Sequence, residues 1–257
     1  MANGLGFSIG PFIGGKLATL GYDMPFIFSG LLTLLCFFIF SWRFRETHPK
    51  EKDGWSTFVL RLRHLVKTIN LRKFRIFFLA FFIFCFGWSF YWEFIPVTWI
   101  KFYGLNVSQI GNFYAYGSAI YVLSSGLLIR PIIKRFKPLP ILLFSLAALA
   151  LCLFPLPFGT SWLYWIFIPL QQFLIALIFP VSTTIVSNAV AESRQGETLG
   201  AFQSLQSFAF AVTPFLGGAL LHFNYNITVL LGGASMVLTC LILLNYKKHS
   251  MTKGARL

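Results

Sequence analysis

Apolar runs of about 17–25 residues recur along this sequence, and nothing else in it limits the fold so strongly. Runs of that length cross a hydrocarbon layer as helices, because in lipid only a helix or a closed barrel satisfies every backbone polar group internally. The runs predict eight membrane helices, at roughly 4–21, 25–42, 75–99, 109–129, 139–157, 162–188, 198–222 and 226–246. Composition agrees: 57% of the residues are hydrophobic and 11% charged, and a soluble domain could not hide thirty-two phenylalanines. The expected fold is an all-α polytopic membrane protein.

A net charge of +14 would suggest a nucleic acid partner in a soluble chain, but the positions of the charges give another reading. Links placed on alternate sides of the bilayer bring together 43–74, 130–138, 191–197 and the tail from Lys247, which carry nearly all the lysine and arginine. Excess Lys and Arg mark the cytoplasmic side, so the basic balance sets topology and puts both termini in the cytoplasm. The partner this implies is the lipid bilayer. In the long link, Trp55, Phe58, Val59, Leu62, Leu65, Val66 and Ile69 recur at three- and four-residue spacing between basic residues, the pattern of an amphipathic helix lying on the inner leaflet. The four cysteines lie in apolar stretches without metal-ligand spacing and read as reduced small hydrophobes, so no metal site is expected.

Two glycine-rich stretches share a pattern. Gly6, Gly10 and Gly14 recur every four residues around Pro11 and beside Gly15, a spacing that stacks small residues into a groove for a second helix. Shifted by 203 positions without a gap, Phe7, Pro11, Phe12, Gly14, Gly15, Leu17, Tyr22 and Gly30 fall on Phe210, Pro214, Phe215, Gly217, Gly218, Leu220, Tyr225 and Gly233. A gapless Pro-Phe-x-Gly-Gly core is read as an internal duplication.

Polar residues inside the apolar runs are the candidates for chemistry. Glu93, in Trp88-Ser89-Phe90-Tyr91-Trp92-Glu93, is costly to ionise in hydrocarbon and should meet water, a partner or a proton. It is either a proton- or substrate-binding acid, with Ser89 one turn away on the same face, or a structural pair with Lys101 or Lys16. Gln171 and Gln172 lie mid-span and serve either as helix–helix glue or as ligand contacts. There is no nucleophile elbow, histidine pair or acidic dyad at depth, so an enzyme is not expected.

At these residues the chain resembles the major facilitator superfamily, and within it the drug/proton antiporters typified by tetracycline and multidrug efflux proteins. Gly6-x3-Gly10-Pro11-x2-Gly14-Gly15 is similar to the antiporter signature of that family's fifth helix. Gln195-Gly196-x3-Gly200-x3-Ser204-x2-Ser207, followed by Pro214-x2-Gly217-Gly218, resembles its eleventh. Gly126-x3-Arg130-Pro131-x2-Lys134-Arg135 matches the family's cytoplasmic loop motif only loosely, with Arg130 where an acid often stands.

The resemblance implies a partial fold, helices five to twelve of twelve. Residues 1–43 would be the last two helices of a first half, 44–74 a cytoplasmic linker, 75–246 a six-helix second half, and 247–257 a cytoplasmic tail. Carried back by the repeat offset, the first half would begin roughly 130 residues ahead of Met1. The same resemblance implies proton-coupled efflux of small amphipathic molecules by alternating access in a bacterial cytoplasmic membrane. The proton gradient would supply the energy, with no cofactor. Glu93, Ser89, Tyr91, Trp92, Gln171 and Gln172 are then the cavity candidates, and the glycine groove of the first helix packs against the second half. A missing first half or a second copy is the implied partner. A truncated remnant that transports nothing is the alternative.

Overall fold

The computed structural model describes residues 2–44, 75–160, 162–221 and 223–252. Eight helical segments cross this part of the chain: α1 (Ala2–Leu17), α2 (Met24–Arg43), α3 (Arg75–Tyr103), α4 (Val107–Arg135), α5 (Pro138–Leu153), α6 (Trp162–Asn188), α7 (Glu192–Leu221) and α8 (Ile227–Thr252). No strand occurs among the described residues. Seven of these segments are long and apolar enough to cross a membrane, α5 when continued through a short 3-10 turn to Phe158; α1, at 16 residues, is not among them. It stops at Leu17 rather than at 21, where Thr19 turns back and its hydroxyl donates to the Lys16 carbonyl at 2.7 Å.

Several helices outrun their apolar runs. Helix α3 continues to Tyr103, α7 begins at Glu192 and α8 reaches Thr252, six residues into the expected tail. Hydropathy marks where hydrocarbon ends, whereas a helix continues until its backbone is broken, and no glycine or proline follows Gly233 until Gly254. The basic motif of residues 130–135 is likewise helical. Helix α4 contains a π turn at Ser124–Leu128, in which the Ile129 amide reaches back to the Ser124 carbonyl, and then runs on through Arg130, Lys134 and Arg135. Pro131 lacks the donor for a regular turn, and a wider turn just ahead of it accommodates the loss. The amphipathic helix expected at 55–69 lies outside the described residues.

The packed body is α3 to α8. Helix α8 lies along α3 and also against α5, α6 packs between α4 and α5, and α7 lies on α3. Small residues permit the closest crossing: a Cβ on Gly87 of α3 would collide with Ser235 of α8, and one on Gly232 would sit 3.0 Å from Tyr91 Cβ. Phenylalanine fills the rest, with Phe202 of α7 stacked on Phe81 at 3.9 Å between ring centres and touching Phe78. The 203-residue offset of the sequence repeat reappears in the backbone, since α2 starts at Met24 and α8 at Ile227. Their surroundings differ sharply. Helix α8 is embedded, whereas α2 has no buried residue.

Helix α1 packs on α4, but not through the expected groove. A Cβ added at Gly6, Gly10 or Gly14 would meet nothing within 4 Å. The close approach is made one position away, where Gly15 faces Gly111 Cα and the Val107 carbonyl, each 3.1 Å from where its Cβ would be. A Cβ on Gly111 would stand 2.7 Å from the Pro11 carbonyl oxygen. The correction is one of register: repeats at four-residue spacing name several faces of a helix, and the crossing selects one. Lys16 donates to Ser108 Oγ at 3.0 Å and lies over the Phe12 ring.

Gly111→Ala is expected to force α1 away from α4 at a cost of about 1–3 kcal/mol, because the obstructing atoms are backbone. Gly14→Ala should be neutral or stabilise α1 by up to about 1 kcal/mol. Hydrogen exchange of the α1 amides, faster in the first variant and unchanged or slower in the second, checks both.

Candidate translocation site

Helix α3 carries the site because its packing opens at one place. Between Leu79 and Ile100 every residue is buried or half-buried except Glu93. The Ser89 hydroxyl, one turn earlier and itself buried, donates to Glu93 Oε1 at 2.6 Å. An i, i+4 spacing puts both groups on one face, so the bond is local and comes directly from the sequence. Lys16 is engaged with Ser108 rather than with Glu93, which removes one of the two ion pairs considered for it.

A cluster of aromatic rings packs on the same stretch of α3. Trp88 and Trp92 stack at 5.5 Å with 15° between their planes, and Tyr114 of α4 meets Trp92 edge-on at 4.8 Å and 86°. Tyr114 also does something no local pattern shows. Its hydroxyl donates to the Trp92 backbone carbonyl at 3.0 Å. That carbonyl would normally bond the amide four residues on, but the residue there is Pro96, which has none. A side chain from a neighbouring helix therefore satisfies the acceptor the proline freed.

Tyr91 and Gln171 are brought together, and away from the open face. Both are fully buried, and the Tyr91 hydroxyl donates to Gln171 Oε1 at 2.7 Å, pinning α3 to α6. Gln171 Nε2 has no acceptor among the described residues. An unpaired buried donor costs about 1–3 kcal/mol, so the amide still has a hydrogen bond to offer. Gln172 is 5% exposed and lies against Gly117 of α4, whose Cβ would come within 3.2 Å of Gln172 Cγ. Within the candidate set, Glu93, Ser89 and Trp92 share one neighbourhood, while Tyr91 and Gln171 form an interhelical bond behind it.

The second glycine motif is distributed differently from the first. A Cβ on Gly217 would strike the Phe94 ring of α3, whereas Gly196, Gly200 and Gly218 have nothing within 4 Å of theirs, and Pro214 is exposed. Arg130, Lys134 and Arg135 are exposed at the end of α4. Among the described residues no group of three or more His, Cys, Asp or Glu could hold a metal.

The sequence model of the Major Facilitator Superfamily matches residues 1–170 and, a second time, residues 77–256. The chain belongs to the Major Facilitator Superfamily. This superfamily member is also similar to solute carrier family 22 member 18 of Rattus norvegicus, 24% identical over 261 residues. That alignment takes in 98% of this chain and 62% of the rat protein, so the chain spans less than two thirds of the relative it matches. Family and helices together make it an integral membrane protein.

Sequence reasoning missed Trp88 and Tyr114 of this superfamily member's site. The available signal was Pro96 four residues after Trp92, which announces an orphaned carbonyl without naming its partner. Tyr114→Phe is expected to destabilise the protein by about 1–3 kcal/mol, read as a lower thermal midpoint in detergent. Tyr91→Phe and Gln171→Leu should each destabilise. The double variant should cost less than their sum by about 1 kcal/mol, since it removes both members of the buried pair.

Proposed function

We propose that this chain is the helix-five-to-twelve portion of a proton-coupled efflux transporter, exporting small amphipathic molecules across a bacterial cytoplasmic membrane. In this reading 1–43 closes a first half, 44–74 is a cytoplasmic linker, 75–246 is the second half, and both termini are cytoplasmic. The observation that carries it is Glu93: the one exposed residue between Leu79 and Ile100 of a membrane helix, its carboxylate held by Ser89.

A carboxylate within a membrane-spanning helix attracts an apolar molecule carrying positive charge. The same carboxylate takes up a proton when it is dehydrated, since burial disfavours the charged form. Binding of proton and substrate to one acid makes them compete, which is the requirement for exchange. Alternation then comes from rocking of the two halves around a mid-membrane site, with α1 on α4 as the contact between them. The solute-carrier name of the rat relative agrees with transport.

The bare α2 favours a second reading as well. Its repeat counterpart α8 is covered by α3 and α5, and no equivalent pair covers α2 among the described residues. The chain would then work with a first half or a second copy, and would move nothing without it.

Everted vesicles test both readings. With the lumen acidified, a fluorescent lipophilic cation should accumulate and be released by a protonophore. Glu93→Gln should cut pH-driven accumulation by an order of magnitude while leaving substrate–substrate counterflow measurable. Unchanged pH-driven accumulation in Glu93→Gln would remove this acid from the mechanism. No accumulation by the wild-type chain alone, restored by co-expressing a first half, would select the second reading.

A further inference from the structure

The end of α4 is built differently from the rest of the bundle surface. Through the π turn the exposed side chains are apolar: Leu123, Leu127 and Leu128 are 56%, 69% and 46% exposed. Within the next two turns they give way to exposed Arg130, Lys134 and Arg135, followed by exposed Phe136 and Lys137. Arg130 and Lys134 are four residues apart in regular α-helix, so their heads lie one above the other on a single face. Ile129 is buried and Ile132 and Ile133 pack against the core, so the segment is seated by one face and turns its cations outward on the other.

None of these cations is neutralised by the described protein. The carboxylates among the described residues are Asp23, Glu93, Glu192 and Glu197, and none of them pairs with Arg130, Lys134 or Arg135. A leucine face running directly into a cationic turn has the polarity of one phospholipid molecule, acyl chains beside the leucines and phosphate beside the cations. Arginine offers a planar fork that fits a phosphate group bidentately, and a lysine one turn away adds a second charge.

We infer that the basic end of α4 is a binding site for an anionic phospholipid, its phosphate held by Arg130 and Lys134 and its acyl chains lying along Leu127 and Leu128. Arg135 and Lys137 add attraction to an anionic leaflet, and Phe136 anchors the chain at the boundary between headgroups and hydrocarbon. The site is on a different helix face from Glu93 and does not depend on what the protein transports.

The protein carries its own reporter, because Cys85 and Cys152 are buried and become reactive to a thiol dye only on unfolding. Purified full-length chain in detergent is heated with phosphatidylglycerol, with phosphatidylcholine of the same acyl composition, or with inorganic phosphate alone. Phosphatidylglycerol should raise the unfolding midpoint by about 4 °C or more, and the other two should leave it unchanged. Arg130→Gln/Lys134→Gln should abolish that rise without moving the lipid-free midpoint, Lys134→Gln alone should reduce it, and Lys101→Gln, on another helix, should keep it.

An equal rise with phosphatidylcholine would overturn the inference, as would one retained in the double variant or reproduced by inorganic phosphate. Should the double variant not fold, the single Lys134→Gln variant decides: a full phosphatidylglycerol rise there refutes the site.

Discussion

Backbone amides and carbonyls inside a bilayer have no water to turn to, and this chain places prolines where that shortage is most acute. Pro11, Pro96, Pro169, Pro180 and Pro214 all lie inside helices. Each removes a donor from its own ladder and leaves a carbonyl one turn back in need of another partner. At Trp92 the shortage is met from outside the helix, by Tyr114, so one side-chain bond ties α4 to the proline turn of α3. Just ahead of Pro131 the helix widens into a π turn, where the Ile129 amide bonds the Ser124 carbonyl. The contact of Tyr114 with Trp92 thus follows from how a membrane helix with a proline keeps its backbone satisfied.

The balance of polar groups in the interior follows the same logic with less slack. Ser89 meets Glu93, Tyr91 meets Gln171 and Thr239 meets the Ala80 carbonyl, each bond tying α3 to itself or to a neighbour. Two asparagines at helix starts are used in this way too. Asn106 closes a capping box with Gln109 at the start of α4, and Asn226 donates to the Pro157 carbonyl.

Membrane character and seven of the eight expected spans were legible because hydrocarbon thickness imposes a minimum apolar length, and α6 falls on the expected 162–188. Local chemistry was legible too: the Ser89–Glu93 bond is an i, i+4 relation that spacing alone supplies. Helix ends were less so, since Glu192 and the Lys247–Thr252 segment continue helices beyond the apolar zone. The partner of Gln171 was invisible, because Tyr91 is eighty residues away and only the packing of α3 on α6 joins them. Choosing Gly15 over Gly14 required the crossing of α1 and α4, a property of two helices that no single stretch encodes.

The bareness of α2 has a consequence for how this polypeptide behaves in a lipid film. A twenty-residue span with mean hydropathy 2.1 and no side chain buried among the described residues presents an apolar surface all round. Wherever lipid is what meets that surface, its tilt follows bilayer thickness and the Trp42 and Arg43 anchors at its end. Thinning the bilayer would then reorient α2 more than the interlocked α3 to α8, unless further protein covers it.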